Sequence, residues 1–119
     1  MKVREASVLM GANIEALSAE LFDKEIADFS IDSRSVKAGE VFFALSQEDY
    51  ARAGFNGSFH DGHRYIAGAF ANGAIAAVAR AERVRGDQGL MALQDRLLLV
   101  DDCIAALQTL AHRVYEAWG

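Results

Sequence analysis

The spacing of apolar positions changes period several times along this chain, and the changes mark its elements. Val3, Ala6 and Met10 recur at helical spacing with Gly11 at a C-cap position, which predicts a short first helix. From Asn13 to Ile31 the pattern is mixed, with strand-like pieces around Asn13 to Leu17 and Ala27 to Ile31. Lys37-Ala38-Gly39-Glu40 reads as a turn, and Val41 to Leu45 is an apolar run with the length of a buried strand. Ser46 to His60 is polar and has no sustained period, and a loop of that length in a compact domain is usually functional or mobile.

Asp61 to Asn72 places Ile66, Ala69 and Phe70 on one helical face and ends in the stop signal Asn72-Gly73. Ala74 to Ala79 is continuously apolar, as expected of a strand covered on both faces. A polar connection through Gly86 and Gly89, with a helical turn near Leu90 to Leu93, leads to a further strand at Leu97 to Val100. Asp101 and Asp102 suit a helix start, because carboxylates satisfy the exposed N–H donors there; Ile104, Leu107, Leu110, Ala111, Val114 and Trp118 mark the apolar face that follows. The order predicts an α/β fold: one layered domain over residues 1–119, with a mixed, mostly parallel sheet flanked by helices.

Composition narrows the class. With 52% hydrophobic and 24% charged residues the chain has ordinary globular values, and no apolar run approaches the roughly 20 residues that span a bilayer. The start of the chain lacks the pattern of a secretory signal, and the single cysteine, Cys103, excludes an internal disulfide, so a cytoplasmic protein is expected. A net charge of −5, from 12 basic and 17 acidic side chains, argues against nucleic acid as a partner. Arg80, Arg83 and Arg85 come nearest to a basic patch, but Glu82 and Asp87 interleave with them, and a solvated loop is the expected reading.

The candidate chemistry lies between Leu45 and Asp61. Ligands of parallel α/β sheets gather beyond the carboxyl ends of strands, and helix starts there offer N–H groups to anions. Gly54, Gly57 and Gly62 let backbone approach a ligand, Ser33 and Ser58 carry hydroxyl donors, and Arg34 suits a phosphate. In outline this is a nucleotide or diphosphate site. Neither G-x-x-x-x-G-K-[ST] nor G-x-G-x-x-G occurs, so neither an ATP-binding P-loop nor a dinucleotide fingerprint is present. His60, Asp61 and His63 make an incomplete zinc set, for which capping by Asp61 and surface histidines are the expected account. N-capping accounts for Asp101 and Asp102 better than a paired-carboxylate site does, and a small, partly buried residue accounts for Cys103 better than a nucleophile does.

Two stretches, IDSRSVKAGEVFFAL and FNGSFHDGHRYIAGAFANGAIAAVA, resemble the N-terminal domain of the Mur ligases, which extend the peptide of peptidoglycan precursors. The family pattern is D-[ST]-R, then P-G-x-[LV]-F-[FV]-A-[LV], then G-x-x-x-D-G-[HR]-x-[FY]-[IV], then A-x-x-x-G-A. Asp32-Ser33-Arg34, Gly39, Val41 to Leu45, Gly57, Asp61-Gly62-His63, Tyr65-Ile66 and Ala69 through Gly73-Ala74 match it in order. His63 after Asp61-Gly62 is more like the members that add D-alanyl-D-alanine than those that add the third amino acid. Ala38 replaces a common proline, and Ser46 to Asn56 is longer than the usual link.

The resemblance implies that the chain holds the UDP part of a UDP-N-acetylmuramoyl-peptide, with Ser33, Arg34, Ala44, Leu45, Gly57 and Ser58 around uridine and diphosphate and Asp32 either in contact or as a brace. It implies no catalytic residue, metal or cofactor in this domain. ATP and Mg belong to the central and C-terminal domains of such a ligase, which are the further partners it implies. The alternatives are the same domain of the ligase adding the third amino acid, and a non-catalytic interaction module that kept the fold.

Overall fold

In the computed structural model, residues 1–45, 51, 54 and 61–118 are described, with side chains described through residue 113. The chain builds helix α1 (Val3–Met10) and strands β1 (Phe29–Ser30) and β2 (Val41–Phe43). Then come α2 (Ile66–Ala71), β3 (Ala76–Arg80), α3 (Ala81–Arg85), α4 (Gln88–Met91), β4 (Leu97–Val100) and α5 (Cys103–Trp118). Among the described residues no helix is long and apolar enough to cross a membrane.

The four strands form one sheet in the order β1-β2-β3-β4, and every pairing is parallel. The expected mixed sheet is thus corrected: among the described residues antiparallel pairing survives only as isolated bridges, Asn13 with Leu99 and Lys2 with Glu25. The reason lies between β3 and β4. The connection read as polar with one helical turn holds two short helices, and a helical crossover returns the chain parallel to the strand it left.

Because each strand adds on the same side of the last, right-handed crossovers carry all three connections over one face. That face buries Val36 from the β1–β2 connection, Ile66 and Ala69 from α2, Val84 from α3 and Leu90 from α4 against Phe42, Ala77, Ala79 and Leu97. The other face is left to the elements outside the run of strands. There Val3 and Ala6 of α1 and Cys103, Ile104, Ala106 and Leu110 of α5 cover Val41, Phe43, Val78 and Leu98. With both faces covered, alternate residues of one strand enter different cores, which is why the strands read as unbroken apolar runs.

Local chemistry sets the boundaries. Gly11 is left-handed at φ 67°, and a Schellman turn closes α1: Gly11 N–H donates to Val8 C=O at 3.2 Å and Ala12 N–H to Ser7 C=O at 2.9 Å. The strand-like piece at Asn13 to Leu17 shortens to the Asn13 bridge, because the Asn13 side chain accepts the Glu15 amide and the chain turns. Ala74 and Ile75 drop out of β3 because their amides donate to Ala69 and Glu40 carbonyls at a bend. On α5 Asp102 caps as expected, accepting the Ala105 amide at 3.0 Å, but Ala111 lies exposed. The side chains of Val114 and Trp118 lie outside those described.

Candidate functional site

Ser30, the last residue of β1, pairs with Phe42, and β2 ends one residue further on at Phe43; beyond it Ala44 N–H donates to Val78 C=O at 2.9 Å. The triplet Asp32-Ser33-Arg34 follows directly on β1.

Asp32 holds the triplet in shape. Its Oδ1 accepts the Arg34 amide at 2.9 Å and Arg34 Nε–H at 3.2 Å, and its Oδ2 accepts from the other end of the guanidinium at 3.2 Å. Its carbonyl accepts from the Ser35 amide and from the Ser30 and Ser35 hydroxyls. The Arg34 side-chain and backbone hydrogen bonds hold the Asp32 carboxyl below the usual carboxylate range. Asp32 is therefore a brace of the turn, and Arg34 faces solvent along most of its length.

Ser33 is tied down by its carbonyl, which accepts Asn72 Nδ2–H at 2.8 Å just past the end of α2. Its hydroxyl has no hydrogen-bond partner among the described residues. Arg34 also lies within electrostatic reach of the Tyr65 phenol at the start of α2, so the triplet and the turn entering α2 share one corner of the molecule. Tyr65 and Ile31 are the large apolar side chains exposed there, at 42% and 57%.

Of the other expected residues, Ala44 and Leu45 are buried at the end of β2 with their side chains in opposite cores, so any contact with a ligand is by backbone. Gly57 and Ser58 lie outside the described residues, as does His60. Gly62 meets Leu45 closely: its N–H donates to the Leu45 carbonyl at 2.6 Å, and a Cβ at this position would stand 2.7 Å from Leu45 N and 3.0 Å from Ala44 Cα. Glycine at 62 thus seats the turn Gly62–Tyr65 on the strand end.

Flanking it, Asp61 and His63 do separate work. Asp61 caps the turn, accepting the His63 amide at 3.1 Å, and binds His63 Nδ1 at 2.9 Å through the same oxygen. Its other oxygen accepts from Arg83 of α3. Burial alone would raise the Asp61 pKa; the hydrogen bonds from His63 and Arg83 outweigh it and hold the carboxyl below its ordinary value. His63, expected at the surface, is 4% exposed, and its Nε2 accepts the Arg80 amide hydrogen at 3.0 Å. With both ring nitrogens engaged inside the fold, the geometry gives His63 a structural role rather than a metal ligand's.

Arg80 corrects the expected solvated loop. It ends β3, is 2% exposed, and its guanidinium donates to Glu82 Oε1 at 2.6 Å. The signal was its position: Arg80 continues the alternation of Ala76 and Val78 toward the α5 face. After β3 the chain leaves over one face and after β4 over the other. Arg80 ends the first of these neighbouring strands, and the Asp102-capped start of α5 follows the second.

The fold and this corner define a class: a parallel, three-layer α/β domain with a polar turn, a glycine-seated strand end and an exposed arginine beside a short helix. No protein-family model matches the chain, and no curated protein matches it.

Proposed function

We propose that this chain binds the UDP moiety of a UDP-N-acetylmuramoyl-peptide, as the N-terminal substrate-holding domain of a cytoplasmic, ATP-dependent peptidoglycan-precursor ligase that adds D-alanyl-D-alanine. In such an enzyme ATP and Mg act in other domains, and this domain contributes binding rather than chemistry.

The observation that supports this reading is the convergence at one corner of residues far apart in the chain. Ser33 is pinned to Asn72 just past α2, and the turn that leads into α2 and carries Tyr65 is seated by Gly62 on Leu45. The Ser33 hydroxyl offers a donor to a phosphate oxygen. Arg34 holds Asp32 only in an exposed pair, and solvent-screened pairs are weak enough for the guanidinium to turn to a phosphate. The backbone bond from Arg34 to Asp32 keeps the turn shaped while it does so. Tyr65 and Ile31 supply apolar surface suited to a nucleoside.

Titration of the chain with UDP, followed by amide chemical shifts, tests the proposal. Shifts concentrated at Ser33, Arg34, Leu45 and Tyr65, larger for UDP than for uridine, are expected. Unmoved resonances at these positions at millimolar UDP would overturn it.

A further inference from the structure

The Arg80 amide is a fixed donor, so the His63 nitrogen that faces it carries a lone pair, and the ring proton sits on Nδ1, where Asp61 accepts it. One imidazole therefore bonds the turn before α2 to the end of β3 and depends on a single tautomer. We propose that His63 is a proton-sensitive latch: neutral, it ties the turn carrying Gly62 and Tyr65 to β3, and protonation at Nε2 releases the tie.

In the imidazolium both nitrogens are donors. Its Nε2–H would meet the Arg80 N–H head-on across 3.0 Å, and the bond would become a repulsion. Among the described residues, the charged groups around the ring include Asp61 from the turn, Arg83 from α3 on that same carboxylate, and Arg80 with Glu82 at the β3–α3 junction. Arg64 and Tyr65 follow on the turn with exposed side chains. The Asp61 carboxylate on the ring is thus already shared with Arg83. Asp61 stays ionised through the range in which histidines titrate, its carboxyl being held below its ordinary value, so the proton that changes is the one on His63. After release the turn keeps its bond to β2, Gly62 N–H to Leu45 C=O, and the tie of Asp61 to Arg83, and loses its direct bond to β3.

Two measurements on the 119-residue chain test this. Long-range nitrogen–proton correlation of the His63 ring at pH 7.5 should show a protonated Nδ1 and a bare Nε2, the reverse of the tautomer that free imidazole side chains favour. Hydrogen exchange should show the protection of the Arg80 amide falling at least about tenfold between pH 7.5 and 5, with the ladder amides of β3 unchanged. His63→Gln places a non-titrating oxygen where Nε2 sits and should keep Arg80 protected at both pH values. An Nε2–H tautomer, or Arg80 protection that does not depend on pH, would overturn the latch, and so would the same pH dependence in His63→Gln. The wild-type tautomer is decisive by itself if the variant does not fold.

Discussion

The same substitution, glycine to alanine, should have opposite signs at two positions six residues apart, and the pair tests how the turn is seated. At Gly62 an added methyl would stand 2.7 Å from Leu45 N, 3.0 Å from Ala44 Cα and 3.0 Å from Leu45 O. All three atoms are backbone of an extended segment fixed by the bond from Ala44 to Val78, so none can rotate away. Overpacking a rigid site costs about 1–3 kcal/mol. Lifting the turn to relieve it also loses the Gly62–Leu45 hydrogen bond, about 0.5–1.5 kcal/mol more. Gly62→Ala should therefore destabilise by about 2–4 kcal/mol, a large share of the roughly 5–15 kcal/mol that holds a domain folded. At Gly68, on the exposed side of α2, an added methyl meets nothing within 4 Å. Gly68→Ala should stabilise by about 0.5–1 kcal/mol, because alanine gives up less backbone freedom on entering a helix.

Urea unfolding followed by circular dichroism reads both. With a slope of about 1.5–2 kcal/mol per molar, the Gly62 variant should unfold at a midpoint lower by about 1–2 M, while the Gly68 variant moves slightly the other way. Equal midpoints for wild type and Gly62→Ala would refute the seating of the turn on the strand end. A Gly62 loss matched by an equal loss at Gly68 would instead mean that the segment tolerates no side chain anywhere.

Acid stability should carry the mark of Asp61. Its folded pKa lies below the ordinary 3.8, so its contribution is complete above the unfolded value and disappears as pH falls through the folded one. Asp61→Asn should flatten acid unfolding below about pH 4, where an unchanged profile would count against the pairing. Lys37 to Glu40 form a turn closed by Glu40 N–H on Lys37 C=O, with Gly39 at φ 85° in its third position, so Ala38 occupies the place that favours proline. Ala38→Pro should raise stability by about 0.4–1 kcal/mol through the unfolded chain, and a lowered thermal midpoint would refute the turn type. Ser33→Ala should weaken UDP binding by about 0.5–1.5 kcal/mol without altering the fold; unchanged affinity by calorimetry would remove Ser33 from the site.

Where the sequence was legible, a single physical rule decided the outcome. Gly11 closes α1, Leu97 to Val100 is a strand at its expected bounds, and Asp102 starts α5. Each follows from local backbone chemistry or from an apolar run buried on both faces. Legibility failed where tertiary context supplied the missing partner. Ala81–Arg85 is too short and too charged to announce a helix, and it forms because Val84 enters the core behind β3 and Arg83 finds Asp61. Arg80 looked like surface because an arginine followed by interleaved charges gives no sign that its side chain will be buried at the strand end and reach out to an exposed glutamate two residues on.

The triplet Asp61-Gly62-His63 shows what a motif match can carry. From the sequence alone it reads as a cap, a flexible point and a surface histidine beside a ligand loop. In the fold the cap remains, the glycine becomes a close approach to Leu45, and the histidine is a buried acceptor for β3. All three can be explained by architecture, with no ligand required. They therefore carry no weight for the proposed ligand. The weight of the functional proposal falls on Ser33 and Arg34: the turn is held by Asp32 and Asn72, and the Arg34 guanidinium is exposed. A variant pair separates the two parts of the motif set: Gly62→Ala should lower stability, whereas Ser33→Ala should lower UDP affinity at unchanged stability. Loss of stability in both would reduce the whole set to scaffold.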